Sequence, residues 1–371
     1  MLLVLDFSLI DEVTKPDVIW VLNQIAYSRY LGKHIIFGKI EVIKFFATCE
    51  LLTEQSREIY SKIYADLPSL GRASLKKFVL SVEIVSGDVL EILDREGSKV
   101  IRASVDKFVN FSLLDLTVLL VENHDDILFY QRIVTTYRSW NNLGDVQIKY
   151  DDRSGGGQTT DKVFKKIQSS KEKFCLCLLD SDKKTPNSGL GTTAKNVLKI
   201  NDQNQPLCDA LALNVREIEN LIPTSIYKEV FENDSNKRDA INFLETLDNS
   251  HLSDARSYLD IKKGLTLERV LKEKPQTAFR KYWLNFAKKF CKNLSTECLA
   301  NEACSKKVPE CHCFITLGLG DNIIKKVEEA YSNRDISHLI SEDLKPEYER
   351  IGSAITSWCC ASSPISTAKP S

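Results

Sequence analysis

No apolar run in this chain approaches the roughly 18–20 residues needed to span a bilayer, so no membrane-crossing segment is expected. The first residues, MLLVLDFSLIDEV, lack a basic stretch ahead of the apolar one and meet Asp6 early, unlike a secretory leader. A charge of one sign is also missing. Fifty basic and 51 acidic residues leave a net charge of −1, so a nucleic-acid partner must be held by a local basic patch and not by the field of the whole chain. The 11 cysteines include no Cys-x-x-Cys pair. The triple glycine Gly155–Gly157 is not followed by the Lys-Ser or Lys-Thr of a nucleotide-binding loop. No internal repeat is present. What remains reads as a cytoplasmic protein with reduced thiols, either structural or metal-binding. Its 371 residues, 43% hydrophobic, suffice for two or three domains.

Hydrophobic spacing organises the chain into four segments. Residues 1–112 read as a mostly helical accessory or docking region: PDVIWVLNQIAYSRYLG, IEVIKFFATCELL and LTEQSREIYSKIYADL carry apolar residues three and four apart. Its last part, from about Val79, alternates and turns at Gly87 and Gly97 as short strands or a hairpin do. Residues 113–235 read as strand (LTVLLVEN), helix (DDILFYQRIVTTYRSW), strand (DVQIKY), loop (DDRSGGGQT), helix (TDKVFKKIQSSK) and strand (FCLCLL). That order predicts an α/β fold with a parallel sheet flanked by helices. Residues 236–360 read as helices and loops with a Cys-rich stretch, and 361–371 as a disordered tail.

In an open parallel sheet, ligands bind beyond the carboxyl ends of the strands. Three acidic groups follow apolar elements in this way: Glu122, then Asp180 and Asp182, then Glu217 and Glu219. Carboxylate oxygens suit Mg²⁺ or Mn²⁺. On an extended backbone Asp180 and Asp182 project to the same side, Glu122 could complete their metal site or act on a proton, and Glu217 with Glu219 could hold a second ion in a two-metal phosphoryl-transfer site. Solvated loop acids are the competing explanation of each pair taken singly. Lys183 and Lys184 are placed to meet a phosphate or to form a solvated charge run. The triple glycine either brings backbone N–H groups to a phosphate or is a plain turn.

The ordered set VLLVENHDDILFYQRI, GGG, LLDSD and REIENLIP resembles the Toprim domain, and within it the OLD-type Toprim nucleases and related anti-phage effectors. The resemblance covers about 113–230. It implies that Glu122 is the catalytic acid or base, that Asp180 and Asp182 hold metal, and that Glu219, with Glu217, forms the later acidic motif. Asn123 stands where the family usually has Gly, a place where Asn tolerates left-handed backbone. Asp260-x-Lys262-x-Gly264 loosely resembles a further segment of these effectors, with Lys262 as a cation approaching the site. The implied function is a Mg²⁺- or Mn²⁺-dependent endonuclease acting on DNA or RNA, a toxic effector in defence. A degenerate module that binds nucleic acid or a regulatory partner without cutting is the alternative. Relatives often carry an ATPase domain, and none is visible here, so a separate ATPase or regulatory protein is the implied partner. Homo-oligomerisation through 1–112 is a further expectation.

Cys291, Cys298, Cys304, Cys311 and Cys313 crowd together around His312. Four thiolates would make a closed tetrahedral Zn²⁺ site, although the gaps between them are irregular and buried thiols explain them equally. Such a zinc would hold a subdomain together and take no part in catalysis.

Overall fold

The computed structural model describes residues 1–70, 75–110, 112–201, 205–250, 253–291, 294–304, 313–332 and 334–365. The chain forms two compact units. The first contains Met1–Leu178, Asn196–Leu211 and the chain from Tyr348 onward; the second contains Leu179–Lys195 and Ala212–Glu347. The segment 113–235 is thus divided between them.

In the first unit, the three expected N-terminal helices span Pro16–Tyr30, Ile40–Thr48 and Glu54–Leu70. The region is not mainly helical, however. It also holds a five-stranded sheet of β1 (Leu2–Leu5), β2 (Ile35–Gly38), β3 (Leu80–Val85), β4 (Leu90–Arg95) and β5 (Ser98–Ser104), in the order β2-β1-β3-β5-β4. β4 and β5 form the expected hairpin, antiparallel, while the other pairs are parallel. LLVL and IIFG escape a periodicity reading because four apolar residues are too few to separate strand from helix.

The second sheet of this unit joins β6 (Val118–Val121), β8 (Asp151–Ser154), β9 (Cys175–Leu179) and β10 (Cys208–Ala212) in the order β10-β9-β6-β8. β6 runs parallel to both neighbours, with Val121 opposite Ser154 and Leu178. VLLV and CLCLL are buried throughout, as central strands covered on both faces must be. The expected strand DVQIKY is displaced. Only β7 (Gln147–Ile148) forms there, pairing with β13 (Cys360–Ala361), and the sheet strand is the adjacent DDRS. At an edge, Asp151–Ser154 can leave alternate side chains in water, which is why its polarity reads as a loop. Helices Asp126–Trp140 and Thr160–Ser170 flank this sheet. Leu2, Ile35, Phe78, Tyr137, Val146 and Cys360 share one core, so residues before and after 113 pack together. The tail is placed as far as Ile365, whose N–H donates to the Tyr30 carbonyl (3.0 Å).

The second unit is helical apart from β11 (Gly264–Thr266) and β12 (Phe314–Leu317), which pair antiparallel. Thr277 caps the helix Ala278–Phe290 by accepting from the Arg280 N–H (3.3 Å). That helix buries Trp283 and Phe286. Among the described residues, no helix of either unit is long and apolar enough to cross a membrane.

Candidate metal centre

The second unit gathers Asp180, Asp182, Glu217, Glu219 and Lys262. Beyond Leu179 the chain turns sharply. Ser181 is fully buried, and its Oγ donates to the Val215 carbonyl (2.5 Å). The Asp182 N–H donates to the Arg216 carbonyl (2.9 Å). Asp180 Oδ1 accepts the Ile218 N–H (3.1 Å). The Asp-Ser-Asp segment is therefore laced to residues 215–218, and the Trp283 indole N–H, donating to the Lys184 carbonyl (2.8 Å), holds its far end.

Asp182 has φ +52°, a left-handed conformation and not the extended one the alternation argument assumed. A non-glycine residue there carries strain that its surroundings must enforce. Gly191 makes the room: a Cβ at Gly191 would lie 2.4 Å from the Asp182 Cβ and 2.3 Å from its Oδ2. A Gly191→Ala variant should therefore push Asp182 aside and cost about 1–3 kcal/mol, the usual penalty for overpacking. Chemical denaturation reads this loss.

The segment Arg216–Asn220 supplies the other acids from a buried turn. Asn220 accepts the Glu217 N–H (2.9 Å) and donates to the carbonyls of Arg256 and Leu259 (2.7 and 3.0 Å). Arg216 donates from Nε to Glu217 Oε1 (3.0 Å) and from a terminal nitrogen to Asp260 Oδ2 (2.9 Å). Lys262 Nζ lies 3.2 Å from Glu217 Oε2 and 3.1 Å from Glu219 Oε1. Glu219 is 4% exposed, and its Oε2 accepts no hydrogen bond among the described residues.

Electrostatics follow from this crowding. Burial pushes the Glu219 carboxyl above its ordinary range against the pull of Lys262. Burial and the Glu217 charge do the same to Asp182, against Arg216, Lys184 and Lys262. Burial opposes charge on Lys262, yet Glu219 and Glu217 outweigh it, and Asp180 adds to them, so the ammonium is held above its usual value. The acids are gathered in one unit without converging as a metal site: among the described residues, the group whose ligand atoms lie within 4.8 Å of one another is a cysteine triad.

Glu122 belongs to the first unit, at the tip of β6. Its carbonyl accepts the Gly157 N–H (3.2 Å) and the Ser154 hydroxyl (3.1 Å). The Cys177 thiol on β9 is pushed well up by burial and then by the Glu122 charge. The triple glycine has its N–H groups engaged here: Gly155 donates to Val121 (2.7 Å), Gly156 to Ser154 Oγ (3.3 Å) and Gly157 to Glu122. It buttresses the β6 tip and is no phosphate cradle. Asn123 makes the turn without a positive φ, its N–H donating to Asp126 Oδ2 (3.2 Å). Lys183 is half-buried and Lys184 exposed. His124 is an exposed side chain beside Asp152 (3.4 Å).

Cys298, Cys304 and Cys313 bring their sulfurs within 4.8 Å of one another, and this triad could hold a metal ion. Cys298 is fixed in the short helix Thr296–Ala300, where Ser295 caps its N–H (3.3 Å), and Cys313 leads into β12. Cys291 is not in the group; burial raises its thiol to about 11. Cys311 lies outside the described residues.

An apolar cavity of about 890 Å³ in the first unit, lined by Phe37, Ile40, Tyr64 and Leu67, offers no such donor set. No protein-family model, no characterised protein and no solved structure matches this chain. The site's own chemistry therefore carries the functional reading.

Arg216, Gly191 and Trp283 carry no local sequence signal of their place in this cluster. Arg216 was legible only as the neighbour of Glu217, since its role depends on Asp260, 44 residues away.

Proposed function

We propose that this protein is a Toprim-like metal-dependent nuclease, hydrolysing phosphodiester bonds of DNA or RNA at the Asp180–Glu219 cluster. The observation that supports this reading is the buried Glu219, whose Oε2 has no hydrogen-bond partner among the described residues, in the same unit as Asp180 and the left-handed Asp182. A buried carboxylate oxygen without a donor is destabilising, and a bound cation removes the penalty. Asp180, Asp182 and Glu219 would hold Mg²⁺ or Mn²⁺. Such an ion lowers the pKa of a bound water and neutralises phosphate oxygens. Lys183 contributes a positive charge next to the aspartates, suited to a scissile phosphate. Glu122 keeps the role of acid or base on the strength of the motif resemblance alone. A defensive effector under control of a separate ATPase is part of the same proposal. The test is cleavage of mixed nucleic acids by wild type and by the variants Glu122→Ala, Asp180→Asn and Glu219→Gln. Cutting that persists in all three removes the assignment.

In the same reading, Cys298, Cys304 and Cys313 hold a structural Zn²⁺, the ion thiolates favour. Protein purified without chelator should carry about one Zn²⁺ per chain. Cys298→Ser should lose it and melt lower, because binding energy at such sites is folding energy. Metal-free preparations as stable as loaded ones would contradict this.

A further inference from the structure

The first unit holds a polar cavity of about 460 Å³, separate from the acidic residues of the second unit. It is lined by the helix Asp126–Trp140, by β7 with the two residues that follow it, and by Leu119 and Ile355. Sites for small organic ligands occupy roughly 300–1,000 Å³, so the size is suitable.

Two cations line this cavity, Arg138 and Lys149, and no aspartate or glutamate does. Main-chain carbonyls fix both. Arg138 donates from Nε to the Leu143 carbonyl (3.2 Å) and from one terminal nitrogen to the Gly144 carbonyl (2.8 Å). Lys149 donates from Nζ to the Gly32 carbonyl (3.0 Å), while its backbone N–H is tied to the Cys359 carbonyl (3.0 Å). These carbonyls set where the two charges stand without neutralising them. Burial works against the Arg138 charge, and no carboxylate offsets that cost. Charges taken partly out of water are ordinarily paired with opposite ones, and a bound anion would complete this pair.

The rest of the lining narrows the anion. Leu119, Val134 and Ile355 are buried and give the cavity an apolar part, which a bare inorganic ion would leave uncovered. Tyr130 and Tyr150 add aromatic rings, the surface on which a planar base stacks. Tyr150 accepts the Gln131 side-chain amide (2.6 Å) and keeps its own O–H to donate. The Gln147 amide, also in the lining, carries the donor and the acceptor that a base edge requires.

We propose that this cavity binds a nucleoside monophosphate, with the phosphate on Arg138 and Lys149 and the base against Tyr130 and Tyr150. A guanidinium with a free terminal nitrogen suits phosphate oxygens, and the ammonium adds a point charge. The site stands or falls independently of the nuclease reading.

The test is equilibrium titration of the full chain, in Mg²⁺-free buffer, with the common ribonucleoside 5′-monophosphates. The parent nucleosides and inorganic phosphate serve as comparison probes. At least one monophosphate should bind with a Kd on the order of 10 µM, ordinary for a ligand of that size. Its nucleoside and inorganic phosphate should each bind at least about tenfold more weakly. Arg138→Gln and Lys149→Gln should each weaken binding by about 10–100-fold, the worth of a hydrogen bond to a charged group. Lys162→Gln, at an exposed lysine outside the cavity, should change nothing. No monophosphate bound by wild type at about 1 mM overturns the inference. So does binding that a folded charge variant leaves unchanged, and so does a nucleoside or inorganic phosphate that binds as tightly as the nucleotide. Lys149→Gln decides where Arg138→Gln does not fold, and the wild-type comparison of probes decides where neither does.

Discussion

In the proposed nuclease, Asp180→Asn and Glu219→Gln should each reduce cleavage by about 10²–10³-fold or more, the scale on which removal of one charge-stabilising group acts. The two substitutions differ in what they do to the fold. Asn at 180 can still accept the Ile218 N–H, so the turn keeps its shape while a negative charge is lost. Glu219 is the sharper case. Its carboxyl is held above the ordinary range because burial disfavours the charge more than Lys262 favours it. A raised folded pKa means that the ionised group works against folding, and that this penalty is present at neutral pH and vanishes as pH falls below the ordinary carboxylate value. The neutral glutamine escapes it. Glu219→Gln should therefore be inactive yet melt no lower than metal-free wild type, the signature of a residue kept for function at the expense of stability. Activity assays and melting curves on the same preparations check both halves.

Arg216→Met should destabilise the second unit by about 3–5 kcal/mol. Arg216 is 7% exposed and bonds Glu217 and Asp260, which are 8% and 4% exposed. Its removal leaves two buried carboxylates, with only Arg269 at 3.6 Å from Asp260 and Lys262 beside Glu217 as compensation. Lysine cannot substitute, since one ammonium does not reproduce two bonds diverging from a planar guanidinium. Asp260→Asn keeps an acceptor for Arg216 and should lose much less. Chemical denaturation separates the two variants.

Which features were legible in the sequence follows from their range. VLLV and CLCLL are apolar without interruption, and only a strand covered on both faces uses such runs between polar loops, so the parallel sheet could be read. The helices Pro16–Tyr30 and Asp126–Trp140 were long enough to show their period. β1, β2 and β8 were not: four residues carry no period, and the polar DDRS is a strand only because β6 lies beside it. The same limit governs the site. Asp180, Asp182, Glu217 and Glu219 stood out because residue type and position after apolar runs are local properties. The left-handed Asp182 was hidden, because it is imposed by Arg216 and accommodated by Gly191, neither of them its neighbour in sequence. Lys262 was noticed as a cation near the acids, but its bridge between two glutamates depends on a loop strapped to residues 319–320. The triple glycine misled because composition cannot tell which way N–H groups point.

A crystal of the proposed nuclease soaked in Mn²⁺ and examined by anomalous scattering should show a peak about 2.0–2.2 Å from carboxylate oxygens of Asp180, Asp182 and Glu219. No peak there, with the four carboxylates unchanged, would contradict the proposal.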